Sequence, residues 1–449
     1  MSEASVRSGH ARARRPGGSR IVLWLCLAFA ARLTFGLASE LWGDDEVQVY
    51  LIGLEYFTTG VWPLYGPDVV YTHTQIPGGL QGLLIGGPLW VVPQPEAPYV
   101  LLNLLSFAAL LALGWYIGCR VPSLPRWFLW PWVFFTPWAL NLSTHILNSS
   151  YVLPGAVVFC LGLFEVVPAL RRGLLPKPVA FFGLSFGILW IYQLHMSALL
   201  LGPVALAAVV LAARGDVAGT ARGLIWTLAG ALAAGASLVP TIVHDGLAGL
   251  TRTAGSNVVF EPGNLLRVPQ ITAQFFALPS FEVARFLGAG TDARLAFLAR
   301  FWWAAPFVLC AALIGLVQTV TLLVALFHRR AGAADWPAVR TATASLLGLL
   351  IVSFVWSVRP PASHAFYLLL PPLMIYAAYV WAPWFERRDV RALAAVLLVC
   401  GAVTHVAIAW RNVTFQSLYQ DRARVVRAIA EKNHRLVGIR RPEMWRSQP

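Results

Sequence analysis

Apolar residues in this chain come in long blocks, and the polar residues between them come in short ones. The blocks are 21–41, 99–118, 127–143, 151–168, 179–194, 198–213, 223–243, 301–327, 341–358, 365–381 and 392–410. A helix crosses the apolar core of a bilayer in about 20 residues, and most of these blocks approach that length. The pattern predicts an all-α polytopic membrane protein with about eleven transmembrane helices. A further stretch, 78–92, is short for a span. It reads as a helix lying on the outer membrane surface.

Positive charge fixes the orientation, because cytoplasmic turns carry an excess of Lys and Arg. The N-terminal tail holds Arg7, Arg12, Arg14, Arg15 and Arg20. Later turns hold Arg120 with Arg126, then Arg171, Arg172 and Lys177, then Arg214 and Arg222. Arg329, Arg330 and Arg340 follow, then Arg387, Arg388 and Arg391. The alternate segments 42–100, 144–150 and 193–197 contain no Lys or Arg and belong outside. Counting 78–92 as a span would turn Arg171, Arg172 and Lys177 outward. The chain then divides into a basic cytoplasmic tail (1–20), a transmembrane module (21–243) with its external segment 42–98, an external loop (244–300), a second set of spans (301–410) and a basic tail (411–449). Eleven crossings put that last tail outside, against the trend of its eight Lys and Arg residues from Arg422 to Arg446.

Composition narrows the class. Hydrophobic residues make up 58% of the chain, charged residues 12%, and the mean hydropathy is +0.66. A soluble domain carries about 25% charged residues, so a soluble enzyme and a disordered chain are both excluded. The net charge of +14 lies mainly in the turns, where it serves topology, and no nucleic-acid partner is expected. The five cysteines form no CxxC pair and read as small core residues. The first block is longer than the core of a signal peptide and reads as a retained span.

Candidate chemistry gathers at the outer face. Asp44, Asp45 and Glu46 follow the first span, and an amphipathic stretch continues to Phe57. Acids at a membrane exit can serve topology alone, but a carboxylate there also suits general-base work on an acceptor hydroxyl. The segment runs on through Gly60-Val61-Trp62-Pro63 and His73-Thr74-Gln75-Ile76-Pro77-Gly78-Gly79 into the short surface helix. Gly78, Gly82 and Gly86 form a small-xxx-small series that predicts close helix packing. His145 and Asn148 stand in the second outer turn, and Gln193 and His195 in the third. Each is an ordinary turn residue or a group lining a polar cavity at membrane depth. Arg32, inside the first span, needs a carbonyl or an acid such as Glu165. Asn141, Asn148 and Asn412 head glycosylation sequons, a weak signal.

An Asp-Glu pair after the first span, a helix ending in a Gly-x-Trp-Pro turn and a Pro-led surface helix together resemble the GT-C glycosyltransferases. The nearest branch holds protein O-mannosyltransferases, the lipid A aminoarabinose transferase and lipopolysaccharide galacturonosyltransferases. The resemblance runs to about residue 243 and into the long loop, and fades toward the C-terminus. It implies transfer of a sugar from a polyprenyl-phosphate carrier to an envelope lipid, glycan or protein at the external face of the inner membrane. It matches Asp45 to the family's general base and Glu46 to its neighbour, with Asp44 extra. Donor-phosphate groups fall on Arg359, His364 and Tyr367, where the family has an Arg-Tyr-x5-Pro region, and on His73. Acceptor or sugar contacts fall to His145, Asn148, Gln193 and His195. The second outer turn lacks the acid that relatives often carry there. No metal and no other cofactor is therefore expected, since hard cations want several carboxylate oxygens. Phe275, Phe276 and Phe281 suit a lid over an isoprenoid chain. The rival reading is a transporter or flippase of lipid-linked saccharides, in which charges pair mid-span across repeats.

Overall fold

The computed structural model describes residues 18–40, 42–69, 72–328, 334–358, 362–415 and 418–437, and of 18–20, 44, 45, 415 and 418–420 the backbone alone. The chain opens with helix α1 (Gly18–Ser39), then α2 (Asp44–Thr59), a hairpin of β1 (Tyr65–Val69) and β2 (Thr74–Pro77), and α3 (Leu80–Val91). Helices α4 (Ala97–Arg120), α5 (Arg126–Phe135), α6 (Pro137–Leu142), α7 (Val152–Val166) and α8 (Lys177–Tyr192) follow. Next come α9 (Leu201–Gly215), α10 (Val217–Gly235) and α11 (Val239–Asn257), then α12 (Val268–Ala277) and α13 (Thr291–Arg300). The last elements are α14 (Ala305–Phe327), α15 (Trp336–Val355), α16 (Leu370–Trp381), α17 (Arg388–Phe415) and α18 (Leu418–Ala430).

Every block predicted to span is helical. Among the described residues, eight helical runs are long and apolar enough to cross a membrane, built on α1, α4, α9, α10 with α11, α14, α15, α16 and α17. The other three are shorter. Pro137 separates α5 from α6, while α7 and α8 have 15 and 16 residues. At 1.5 Å per residue α7 and α8 are each about 23 Å long, under the thickness of a bilayer core. They pack backbone to backbone, because Gly155 and Gly162 on α7 meet Gly187 and Ala180 on α8. The molecule is an all-α polytopic membrane protein whose centre is α16, with every residue from Leu370 to Trp381 buried.

The short stretch 78–92 carries a helix too short to be counted with the eight candidate spans. Helix α3 has 12 residues and lies along α2, with Gly86 against the Gly53 carbonyl and Gly82 against Pro63 and Ile52. The β1–β2 hairpin was not foreseen. It pairs Asp68 with Gln75 and Val69 with Thr74. Helix α11 holds it: Thr253 donates to the Gln75 carbonyl, Thr241 to the Leu64 carbonyl, and Tyr65 donates to Asp245 at 2.6 Å.

Two expectations need correction. The segment 244–300 is largely helical, since α11 continues through a kink at Gly246 (φ 63°) to Asn257 and α12 and α13 follow. Phe275, Phe276 and Phe281 are at most 1% exposed. Phe276 packs on Tyr376 of α16 and Phe281 against Gly315 of α14, so these rings anchor the segment and form no lid. Of its two expected kinds of partner Arg32 takes the carbonyl, donating to that of Phe134 and also to Ser143 Oγ. Glu165 instead accepts from Tyr116 and the Gly173 amide. At the end of α4 opposite α2, Arg120 and Arg172 both bind Asp335, each at 2.7 Å, and tie α4 to the start of α15.

The C-terminal residues fold back over α2 and α3. Arg422 pairs with Glu96 at 2.6 Å, and Lys432 lies over the rings of Phe57 and Trp90 at 3.3 and 4.2 Å. Thr58 bonds His434, and Val425, Ala428, Ile429 and Val437 are buried. The tail therefore shares a face with the segment between α1 and α4.

Candidate active site

Helix α2 begins at Asp44 after Gly43, which holds an extended backbone (φ −91°, ψ −172°). The three acids form its first turn, where the helix N-terminus favours negative charge. That position alone accounts for acidic residues here, and it also aims the turn at a cavity. The side chains of Asp44 and Asp45 lie outside the described residues. Glu46 lines the cavity.

Two cavities meet at the turn between α6 and α7. The first, of about 270 Å³, is lined by Asp68 from the hairpin, Asn148, His195 and His364, and by apolar side chains of α9 and α15 such as Pro203 and Leu350. Its polar end is ordered. Gln75 donates to Asp68 at 3.0 Å. The imidazoles of His195 and His364 stand edge to face at 6.2 Å. The Ser197 amide donates to His195 Nδ1 at 3.2 Å, which assigns the proton of the neutral ring to Nε2.

The second cavity, of about 370 Å³, lies between Glu46, His145, the turn 285–294 and the end of α17. Leu147 lines it while its neighbour Asn148 lines the first, so one short stretch of backbone divides the two. His145 bonds Ser39 Oγ at 2.5 Å and packs on Phe35. Burial pushes its imidazole down to about 4, so it is neutral at ordinary pH.

The structure brings together five of the expected residues (Glu46, His145, Asn148, His195 and His364) and sets others apart. Gln193 braces a helix corner, donating to the Leu189 and Ala234 carbonyls and accepting from Ser237, and lines neither cavity. Tyr367 is fully buried and likewise lines neither. His73 occupies the exposed hairpin tip with φ 51°, away from both linings. Arg359 lies outside the described residues. No group of three or more His, Cys, Asp or Glu among the described residues is arranged to hold a metal ion.

The structure adds residues that the sequence reading passed over. Asp68 needs the hairpin to reach the first cavity. Arg285, Arg294 and Arg411 line the second. Glu40, one residue beyond α1, is fully buried, with Oε2 accepting from the Ile146 amide at 3.3 Å. Burial first, and the charge of Glu46 second, hold its carboxyl well above the usual carboxylate range. An acid at the edge of an apolar block was the signal for it.

No family model matches the chain, and no curated protein does. Among solved structures, a crystal structure of ArnT from Cupriavidus metallidurans bound to undecaprenyl phosphate is similar at 12% identity and a TM-score of 0.48. The match covers 93% of this chain and 78% of that one.

Proposed function

We propose that this chain is a membrane glycosyltransferase of GT-C type, moving a sugar from a polyprenyl-phosphate carrier to an acceptor at the outer face. The observation that carries the reading is the pair of cavities abutting at Leu147 and Asn148. One has an apolar wall on two candidate spans and a polar end, as a lipid-linked donor needs. The other opens beside the acidic turn of α2, as an acceptor needs.

The chemistry follows from those positions. A carboxylate of the α2 turn, Asp45 by the resemblance, takes the proton of the acceptor hydroxyl. The hydroxyl oxygen bonds the anomeric carbon, the bond from that carbon to the carrier phosphate oxygen breaks, and the polyprenyl phosphate departs with the electron pair. His195 and His364 supply N–H donors for the developing charge on the phosphate. The acids cluster at one face and not mid-span, which favours transfer over transport.

The test is binding of undecaprenyl phosphate to the full chain in nanodiscs, measured by native mass spectrometry. His364→Ala should weaken binding about tenfold, the size of one charge-assisted hydrogen bond. Equal binding by the variant and the wild type would remove the first cavity as the donor site. Mass spectrometry of envelope lipids, glycans and glycoproteins in a deletion strain would then identify sugar and acceptor.

A further inference from the structure

We infer that the second cavity recognises an anionic group, a phosphate or a carboxylate, on the acceptor. The inference rests on the transferase reading and adds to it the chemical class of the acceptor.

Three guanidinium groups from separate elements line this cavity: Arg285 in the turn Ala284–Leu287, Arg294 on α13 and Arg411 on α17. Each is held in place by contacts other than an ion pair, with Glu282 acting on Arg285 and Arg294 from a distance. Arg285 lies over the Trp138 ring at 5.4 Å. Arg294 donates to the Gly288 carbonyl at 3.3 Å. Arg411 donates to the carbonyls of Leu287 and Phe286 and to Asn412, and stacks on Phe297 at 5.5 Å. Among the described residues, no carboxylate oxygen lies within 4.0 Å of any of the three.

Structural arginines of this protein are treated differently. Arg120 and Arg172 share Asp335, and Arg422 holds Glu96. Near the cavity, Glu282 spends its oxygens on the Trp138 indole and the Arg285 backbone amide, at 3.3 and 3.1 Å. Desolvation pushes the Arg285 guanidinium below its usual range, Glu282 acts the other way, and Arg294 adds to the fall. Among the described side chains, three cations thus line the cavity with one carboxylate, Glu46, beside a neutral His145. A bound anion would relieve the mutual repulsion of Arg285 and Arg294 and accept charge-assisted hydrogen bonds. With its anionic group on the arginines, an acceptor filling the cavity would turn its nucleophilic hydroxyl toward the first turn of α2.

The experiment is hydrogen exchange over residues 284–294 of the full chain in phosphatidylcholine nanodiscs, titrated with inorganic phosphate or supplied with phosphatidic acid in the bilayer. Slowed exchange with inorganic phosphate supports a small anionic group recognised from water, and slowing with phosphatidic acid alone supports an anionic lipid headgroup. In either case Arg294→Gln and Arg285→Gln should each weaken the effect by about tenfold. No slowing with either probe, or equal midpoints in both variants and wild type, overturns the inference. Undecaprenyl phosphate is the third arm. Protection of 284–294 by it, with none at 196–200 and 363–369, would give the arginines to the donor and also overturn the inference. Slowing by phosphate in a protein that binds no undecaprenyl phosphate would leave the anion site standing and defeat the transferase reading alone.

Discussion

His145 joins sequence, packing and chemistry at one position. It was visible in the sequence as a polar residue in a short outer turn, but its environment was not. Only the fold places Phe35 and Ser39 of α1 against it. Its lowered pKa, about 4 against the ordinary 6.5, carries a sign. Below pH 6.5 the unfolded imidazole takes a proton that the folded one refuses until about pH 4. Stability is therefore lost as pH falls across that window, by about 3 kcal/mol in total. Thermal unfolding in detergent between pH 7 and pH 4 should show a shallower slope in His145→Gln, with the total loss of stability smaller by this amount. An unchanged slope would mean that the ring titrates normally. The acidic turn supplies the second residue-scale expectation. Asp45→Asn should lower turnover by ~100-fold or more with undecaprenyl phosphate binding retained, the usual contribution of a general base. Full activity in Asp45→Asn with loss in Glu46→Gln would move the base to the side chain that lines the cavity.

Among the elements, legibility followed the range of the forces. Each span was readable because burial in lipid demands a long apolar block, and that demand is local to the block. The glycine series in α3 was readable for the same reason. Gly86 lets the helix approach the Gly53 carbonyl, where a Cβ would sit 2.5 Å from that oxygen. Gly86→Ala should cost about 1–3 kcal/mol, the usual range for overpacking, and should raise hydrogen exchange in both α2 and α3. Normal exchange would mean the two helices part without strain. The hairpin was hidden because Gly66, Pro67 and Pro77 read as loop, and its registry depends on α11 residues about 180 positions away. The role of Phe275, Phe276 and Phe281 was misread for a related reason. Aromatic residues in a polar segment look alike in sequence whether they face lipid or anchor the segment to α14 and α16.

The whole molecule decides which ends share a face. The tail packs on α2 and α3 through Lys432 and Arg422, as an odd number of crossings requires. Single cysteines at positions 93 and 433 should react with an impermeant maleimide added from one side. One at 172 should react only after the membrane is opened. Labelling of 93 and 433 from opposite sides would break the eleven-span count. The charge of the tail pointed the other way, since its basic residues follow the rule for cytoplasmic segments. Here Arg422 and Lys432 are committed to Glu96 and to two aromatic rings, so their charge serves packing.

The docking of that tail has a consequence for how the protein is made. Glu96 and Arg422 are separated by 326 residues, so the surface that covers α2 and α3 leaves the ribosome only after every span has done so. Until it arrives, the helix carrying the acidic turn lies at the membrane with Phe57 and Trp90 bare on one side. A chain cut short after α17 would contain every span and both cavities yet lack this cover. Synthesis beyond the last span thus becomes a condition for a fixed active site, and a product truncated there would present those two rings to chaperones and proteases.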